Sequence, residues 1–216
     1  LPVYGLPPTL IFFCVAERGL WVRDVYWSLA RGLLMFWQFI GVVICAMVSC
    51  ARWSWCDHLE QMTIAQITAD INCENMKVPV AIGNALPAIN KLIATIEQKL
   101  KCGGRLFYVG CGTGGRLATL DTIEVQNTYG TDGTQIQAIF PGGTECLTQT
   151  RESREDDTKN SWQQLIDKNI STADIVVGIS ASGTTPFVLA ALQHCRANGI
   201  TTGCIVNNPN SPIASQ

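Results

Sequence analysis

The stretch Gly103-Gly-Arg-Leu-Phe-Tyr-Val-Gly-Cys-Gly-Thr-Gly-Gly-Arg116 indicates the fold of this chain. Its glycine pair predicts the end of a helix, residues 105–109 predict a short β-strand, and residues 110–115 predict a glycine loop before a second helix. This order is typical of a parallel sheet in an α/β protein, where ligands bind beside the carboxyl ends of the strands. We therefore expect a functional site at the loop that follows residue 109.

The rest of the chain after residue 57 continues this alternation of helices and strands. Further apolar runs predict strands at 135–140, 175–179 and 202–206. Apolar residues at helical spacing predict helices at 63–76, 85–101, 116–125, 161–168 and 186–197. Apolar strands separated by helices indicate a parallel sheet that is covered on both faces. The predicted fold class is therefore α/β, a three-layer αβα sandwich related to flavodoxin and Rossmann-like folds.

The first glycine loop contains the spacing G-x-G-x-x-G, with Gly112, Thr113, Gly114 and Gly115 as candidate phosphate-binding residues. Glycines let the backbone approach a ligand closely, and the N–H groups at the start of the next helix attract an anion. A dinucleotide site would need an acidic residue at the end of the next strand, but that strand ends in Phe140-Pro-Gly-Gly143. The loop therefore favours a phosphate over NAD, and a tight turn without ligand is the alternative.

A second candidate loop, Ser180-Ala-Ser-Gly-Thr-Thr-Pro186, follows the strand predicted at 175–179. The hydroxyls of Ser180, Ser182, Thr184 and Thr185 are candidate donors to phosphate oxygens, which suits a small sugar phosphate that must bind reversibly. Helix capping by Thr184 or Thr185 is the competing interpretation. Two such loops at the same edge of one sheet are more informative than either loop alone.

Composition limits the class of protein and its partners. The chain is 47% hydrophobic and 15% charged, which is typical of a folded core, and its net charge of -2 lacks the clustered basic residues that nucleic acid requires. The ten cysteines include no C-x-x-C pair and no histidine at metal-ligand spacing. We expect no metal site and mostly buried thiols in a reducing compartment.

Residues 1–56 differ from the remainder of the chain. Five of the six tryptophans lie in this segment, and residues 32–51 carry no charge. As a helix those twenty residues would be about 30 Å long, enough to cross the hydrocarbon core of a bilayer. Three interpretations stay open: a transmembrane helix at 32–51, a buried hydrophobic hairpin, or a segment that does not belong to the functional protein.

From residue 57 onward the chain resembles the sugar isomerase (SIS) domain family, and within it the N-acetylmuramic acid 6-phosphate etherases. The residues that carry the resemblance are Asp57-His-Leu-Glu-Gln-Met62, Lys77-Val-Pro-Val80, 103–110, Gly112-Thr113, Gly115-Arg-Leu117, Leu120-Asp121, Glu124, Gly142-Gly143, Glu155-Asp156, 174–179 and 181–186. They follow the order of the family's motifs. The resemblance divides the chain into the segment 1–56, a helical part at 57–95 and a SIS domain at 96–216.

The resemblance implies a lyase that cleaves the lactyl ether of N-acetylmuramic acid 6-phosphate, giving N-acetylglucosamine 6-phosphate and D-lactate. It implies no metal or nucleotide cofactor, a cytoplasmic location and a homodimer with the site near the subunit boundary. The family's two catalytic carboxylates correspond to Glu124 and Glu155. By pattern alone, Glu124 is an exposed helix glutamate and Glu155 belongs to a solvated acidic run at 152–157.

The chain departs from the family pattern at two places. Gly114 replaces a serine that the family uses as a phosphate ligand, and Gln216 is followed by no counterpart of the family's last strand and C-terminal helices. The resemblance therefore leads us to expect an incomplete sheet. Two alternatives stay open: a non-catalytic sugar-phosphate-binding regulator, as in the related glucokinase regulatory protein, or an inactive truncated etherase.

Overall fold

A computed structural model describes residues 61–143, 147 and 155–216 of this chain. The helices are α1 (Ile64–Lys101), α2 (Gly112–Tyr129), α3 (Thr158–Asp167) and α4 (Pro186–Ala197). The strands are β1 (Leu106–Gly110), β2 (Ile136–Ile139), β3 (Ile175–Ser180) and β4 (Thr201–Val206). The aromatic-rich segment 1–56, with its predicted membrane helix at 32–51, lies outside the described residues.

The four described strands form one parallel sheet in the order β2-β1-β3-β4. Side chains alternate between its two faces. Tyr108 of β1 belongs to a core shared with α1 and α2, whereas the neighbouring Phe107 belongs to a core shared with α3 and α4. The predicted three-layer αβα sandwich is confirmed.

Helix α1 is one continuous helix of 38 residues, so the prediction of two helices at 63–76 and 85–101 is wrong. Pro79 lies in the region between them and lacks an N–H donor, but the neighbouring turns keep their hydrogen bonds and the helix continues. Thr63 and Gln66 form a capping box that fixes the start of α1. The domain boundary predicted at residue 95 falls inside this helix and stays a prediction.

Only the second half of α1 packs onto the sheet. Ile89, Ile96 and Leu100 are buried in the core, whereas Ile64 and Met76 are exposed. Among the described residues, α1 is the single helix whose length and mean hydropathy of 1.2 would allow it to span a membrane. Its second half is explained by the core of this domain, because Ile89, Ile96 and Leu100 belong to one buried cluster with residues of β1, β3 and β4.

Helix α2 begins inside the glycine loop. The sequence predicted a helix from residue 116, but Gly112 to Gly115 already form its first turn. The other element ends differ from prediction by at most a few residues, and the predicted helix at 186–197 is confirmed, including Pro186 in its first turn. The loop after β1 is therefore shorter, and the helix N-terminus lies closer to the sheet, than the sequence indicated.

The five cysteines that lie in the described residues are all free thiols. Cys195 is buried, but Cys73 and Cys102 are exposed, so the expectation of mostly buried thiols is wrong for these two. Their exposure has a simple cause. Cys73 lies on the first half of α1, which does not pack onto the sheet, and Cys102 is the C-cap residue that follows α1.

Candidate functional site

The two predicted loops follow adjacent strands. The chain leaves β1 toward β2 and leaves β3 toward β4, in opposite directions across the sheet. Such a reversal opens a crevice at the carboxyl ends of the two central strands, which is where ligands bind in open α/β sheets. The candidate site is therefore the crevice between the end of β1 and the end of β3.

Close backbone packing explains the glycines of the first loop. A Cβ atom on Gly110 would lie 2.8 Å from the backbone nitrogen of Gly115, and a Cβ on Gly115 would lie 2.3 Å from Cδ2 of Phe140. Gly112 has a φ of 52°, in the left-handed region. These contacts let α2 begin directly against the end of β1, with Thr113 exposed and Gly114 buried in its first turn.

The N-terminus of α2 has the properties of an anion site. The first N–H groups of a helix have no intrahelical acceptor, and in α2 the side chain of the N-cap residue, Cys111, does not bond to them. Helix dipoles make this position favourable for a phosphate. Burial, together with the nearby Glu155, raises the pKa of the Cys111 thiol, which therefore stays neutral beside this site.

The second loop is a network of hydroxyl groups. Ser180 Oγ lies 2.9 Å from Thr185 Oγ1 and 3.5 Å from Ser182 Oγ, and Thr184 Oγ1 donates to Ser182 Oγ at 2.9 Å. The backbone N–H of Gly183 donates to Ser180 Oγ at 3.1 Å. The four predicted hydroxyl residues are thus brought together within one loop.

Capping by Thr185 is not observed. Thr185 is the N-cap residue of α4, but its side chain makes no capping hydrogen bond, because its hydroxyl is turned toward Ser180. The competing interpretation of this loop, helix capping by Thr184 or Thr185, is therefore wrong for Thr185. The N-termini of α2 and α4 both begin at the crevice without a side-chain cap of their own.

Glu155 lies between the two loops. Its Oε1 atom is 3.4 Å from the position that a Cβ on Gly112 would occupy, and its backbone carbonyl accepts a hydrogen bond from the N–H of Phe187 at 3.0 Å. The carboxylate is therefore at the start of α2 while its backbone is attached to the start of α4. Of the two predicted carboxylates, Glu155 is the one that lies at both loops.

Glu124 is exposed and lies farther from the first loop than expected. It follows Gly112 by twelve residues, which corresponds to about 18 Å along the axis of α2, or slightly more than three turns. In a helix that began at residue 116, as the sequence predicted, Glu124 would lie about two turns from the first residue. Spacings of four, seven and eleven residues place Glu124 on the same helix face as Thr113, with Leu117 and Leu120 between them.

A buried polar pair escaped the sequence prediction. Tyr108 donates a hydrogen bond to Asp121 Oδ2 at 3.0 Å, and both side chains are buried. Burial raises the pKa of Asp121 to about 6, although the bond from Tyr108 acts in the opposite direction. Asp121 was recognised only as part of the Leu120-Asp121 motif. Its spacing from the buried Ala118 and Val125 is the signal that places it on the inner face of α2.

Two further observations concern the described part of the chain outside this crevice. Within the described residues, no group of three or more His, Cys, Asp or Glu side chains is arranged to hold a metal ion. A shallow groove lined by Trp162, Asn169 and Asn198 lies beside the starts of β3 and β4, at the opposite edge of the sheet. None of the residues that line this groove belongs to the two loops.

These features define an α/β domain whose glycine loop, hydroxyl loop and two helix N-termini meet at one crevice, a class that binds small phosphorylated ligands. The family model described as the glucokinase regulatory protein N-terminal SIS domain matches residues 87–196. The chain therefore belongs to the SIS domain family, as the sequence motifs indicated.

The chain is also similar to curated N-acetylmuramic acid 6-phosphate etherases. Identity is 45% over 160 residues to the protein of Bacteroides fragilis strain NCTC 9343, covering 74% of this chain and 57% of that protein. It is 43% to the protein of Bacteroides thetaiotaomicron and 41% to the protein of Porphyromonas gingivalis strain ATCC 33277, each covering 74% of this chain and 58% of the relative. The chain thus spans somewhat more than half the length of these relatives.

Solved structures with the same fold include two phosphoheptose isomerases. The protein from Francisella tularensis superposes with a TM-score of 0.56 at 14% identity, covering 71% of this chain and 81% of that one. The protein from Neisseria gonorrhoeae gives a TM-score of 0.50 at 19% identity, covering 71% and 80%. At these identities the comparison supports the fold alone.

Proposed function

We propose that this chain carries the sugar-phosphate site of an etherase that cleaves N-acetylmuramic acid 6-phosphate to N-acetylglucosamine 6-phosphate and D-lactate. The observation that carries the proposal is the position of Glu155, whose carboxylate lies at the first loop and whose carbonyl is bonded to the start of α4. A carboxylate between two anion-binding loops can act on a substrate whose phosphate these loops hold. The similarity to etherases supports the same activity.

The phosphate of the substrate is proposed to bind at the two loops. Gly112, Thr113, Gly114 and Gly115 would supply backbone N–H groups at the start of α2. Ser180, Ser182, Thr184 and Thr185 would supply hydroxyls, which now bond to one another and can exchange those bonds for phosphate oxygens. Binding through hydroxyls and amides keeps the ligand exchangeable.

The proposed reaction is an elimination followed by the addition of water. A base removes the proton next to the aldehyde of the open-chain sugar, and an acid protonates the ether oxygen as lactate departs. Water then adds to the resulting double bond and restores the hydroxyl group. Both proton transfers need a carboxyl group within hydrogen-bond distance of the reacting atoms. No step requires a metal ion or a nucleotide.

Glu155 and Glu124 are proposed as these two carboxyl groups, with the assignment of acid and base left open between them. Glu155 lies at the phosphate loops, whereas Glu124 lies about 18 Å along α2 and is exposed. Two apolar side chains close to Glu124 on α2, Leu120 and Ile123, are 52% and 48% exposed. A homodimer that covers this apolar surface would enclose Glu124, and we propose it as the functional form. We also propose a cytoplasmic location, supported by the free thiols among the described cysteines.

Lactate release from N-acetylmuramic acid 6-phosphate tests the proposal. We expect release by the wild-type chain and a decrease of about a hundredfold or more for Glu155→Gln and for Glu124→Gln, because each loses a proton-transfer group. Asp156→Asn is the matched control, since this exposed neighbour of Glu155 carries the same charge. It should retain activity. Equal activity of wild type and Glu155→Gln would remove Glu155 from the mechanism.

A sugar-phosphate-binding regulator is the second candidate function. It is favoured by the family model that matches residues 87–196, which describes a domain of a regulatory protein. A regulator needs the two loops but neither carboxylate. Binding of N-acetylglucosamine 6-phosphate without lactate release, and with no change in affinity in Glu124→Gln, would favour the regulator over the etherase.

A further inference from the structure

Gly183 lies in the middle of the second loop, between Ser182 and Thr184, and its surroundings leave no space for a side chain. A Cβ atom on Gly183 would overlap with both Oγ and Cβ of Ser211, a residue of the turn that follows β4. The φ of Gly183 is 73°, in the left-handed region that favours glycine. The second loop therefore packs directly against the side chain of Ser211.

The backbone of Gly183 connects this turn to the hydroxyl network. Its N–H donates to Ser180 Oγ at 3.1 Å, and its carbonyl accepts from the N–H of Ile213 at 3.0 Å. Ser180 Oγ in turn lies 2.9 Å from Thr185 Oγ1. The position of Gly183 is therefore set by the hydroxyl network on one side and by Ser211 and Ile213 on the other.

The turn that follows β4 is held by contacts outside the crevice. Ile213 is fully buried in the core formed with α3 and α4, and Ser211 is also buried. Ser211 Oγ accepts from the N–H of Ala214 at 3.3 Å, and Nη1 of Arg196 on α4 donates to the carbonyl of Ser215 at 3.0 Å. Because α4 and its core hold this turn, the turn can act as a fixed support for the second loop.

The two hydroxyl residues that flank Gly183 are accessible to a ligand. Ser182 and Thr184 are exposed, whereas Gly183 itself is buried. Thr184 Oγ1 donates to Ser182 Oγ at 2.9 Å, and neither hydroxyl bonds to a described residue outside the second loop. The position of both hydroxyls therefore depends on where Gly183 is held.

We propose that Ser211 is a positioning residue of the sugar-phosphate site: it fixes Gly183 and thereby places the hydroxyls of Ser182 and Thr184 for the phosphate. This inference rests on the proposed function, since it concerns hydroxyls to which the phosphate is proposed to bind. Ser211 is buried, so it acts through Gly183 and not by touching the ligand. A loop that is held in place before binding does not have to be ordered when the ligand arrives, which favours affinity.

The test measures binding of N-acetylglucosamine 6-phosphate to the full chain by calorimetry. Ser211→Gly removes the side chain against which Gly183 packs, and it should weaken binding at least about tenfold, because the loop must then be ordered as the ligand binds. Ser215→Gly is the matched control, since this exposed serine lies in the same turn and its Oγ donates to the carbonyl of Pro212, away from the second loop. It should bind within about twofold of wild type.

A double-mutant cycle separates positioning from general damage. Gly183→Ala introduces a Cβ where the Ser211 side chain lies, and it should weaken binding more than Ser211→Gly does. In the double variant the vacated space accepts this Cβ, so the double variant should bind at least about tenfold more tightly than Gly183→Ala alone. The strain of alanine at this φ is present in both and cancels. Additive losses of affinity would overturn the proposal.

Amide hydrogen exchange of Gly183 provides a measurement that needs no ligand. Its N–H is bonded to Ser180 Oγ, so its exchange should be at least about tenfold faster in Ser211→Gly than in wild type and unchanged in Ser215→Gly. A lower unfolding temperature with unchanged affinity and unchanged exchange at Gly183 would overturn the proposal, because Ser211 would then support the fold alone. If Ser211→Gly does not fold, Ser211→Ala, which removes only the hydroxyl, is measured in its place and should shift both quantities in the same direction.

The outcome also separates this inference from the proposed function. If wild type releases lactate but Ser211→Gly binds the sugar phosphate as tightly as Ser215→Gly, only the inference about Ser211 fails. If the cycle shows coupling between Ser211 and Gly183 but wild type releases no lactate, only the etherase fails. Absence of binding by wild type would overturn both.

Discussion

At the edge where the strands begin, Asp174 accepts five hydrogen bonds from the backbone and side chains of Arg105 and Ser171. At the edge where the strands end, Ser180, Ser182 and Thr185 bond mainly to one another within a single loop. The first set connects β1 to β3 and is complete in the free protein. The second set can exchange its bonds for those of a ligand, so the difference indicates which edge supports the fold and which edge binds.

The two edges of the sheet also differ in the charges that they carry. Arg105 and Asp174 form an ion pair of 2.9 Å in which Asp174 is almost fully buried. At the other edge the two helix N-termini provide partial positive charge through N–H groups, and Glu155 is the carboxylate beside them. A full charge pair at the first edge stabilises one arrangement of the strands. The N–H groups at the edge where the strands end carry partial positive charges that remain available to an incoming anion.

The largest expected effect comes from removing the carboxylate of Asp174 at the edge of the sheet where the strands begin. Asp174→Ala should lower the free energy of unfolding by about 3–5 kcal/mol, because Arg105 and the N–H of Ser171 lose a buried acceptor. Urea denaturation at pH 7 measures the change, and Asp70→Ala, an exposed carboxylate on α1, is the control. A loss below about 1 kcal/mol would contradict the supporting role of this edge.

The pH dependence of this pair has a defined sign. Burial would raise the pKa of Asp174, but the hydrogen bonds from Arg105 and Ser171 outweigh it, so the pKa lies below its ordinary value. The stabilisation is therefore fully present above the unfolded pKa of about 3.9 and is lost as the pH falls through the folded pKa. Wild type should lose this contribution in acid, and Asp174→Ala should not.

The sequence predicted the elements whose signals are local. Pro186 marked the start of α4, and the glycines at 110–115 marked the junction of β1 and α2. The continuity of α1 through Pro79 was missed, because the intact turns on either side and the packing of its second half on the sheet outweigh the lost hydrogen bond. Local patterns thus predicted the fold class but not the length of its longest helix.

The candidate site was predictable in its loops and not in the contacts between them. Glu155 meets Gly112 and Phe187, residues that are 43 positions before it and 32 positions after it. Asp121 meets Tyr108 across a helix and a strand. No periodicity or spacing in one sequence encodes these contacts, because they depend on how separate elements pack.

An effect of intermediate size is expected from a substitution of Asp121, which lies on the buried face of α2 between the two edges of the sheet. Its pKa of about 6 exceeds that of an unfolded aspartate, because burial disfavours the charged form. The contribution of Asp121 to the free energy of unfolding is therefore most favourable below the unfolded pKa of about 3.9 and is lost as the pH rises through about 6. Asp121→Asn should therefore raise the free energy of unfolding at pH 8, by up to about 3 kcal/mol.

Urea denaturation at pH 5 and pH 8 measures this effect, with Asp70→Asn as the exposed control. The side-chain amide introduced by Asp121→Asn keeps an acceptor oxygen for the hydroxyl of Tyr108, so the hydrogen bond of 3.0 Å can be retained. The stabilisation should shrink at pH 5, where wild-type Asp121 is largely protonated. A variant that is equally destabilised at both pH values would show instead that the charged carboxylate supports α2.

The smallest expected effect comes from adding a donor at the second edge. Gly114 lies in the first turn of α2, at the position where the resemblance implies a phosphate-binding serine. Gly114→Ser should tighten binding of N-acetylglucosamine 6-phosphate about tenfold, because a hydroxyl bonded to a charged phosphate contributes about 1.5 kcal/mol. Gly114→Ala is the matched control, since it makes the same change to the backbone without the hydroxyl. If both variants bind equally, the hydroxyl does not reach the phosphate, and the binding edge would be confined to the hydroxyls after β3 and the N–H groups of α2.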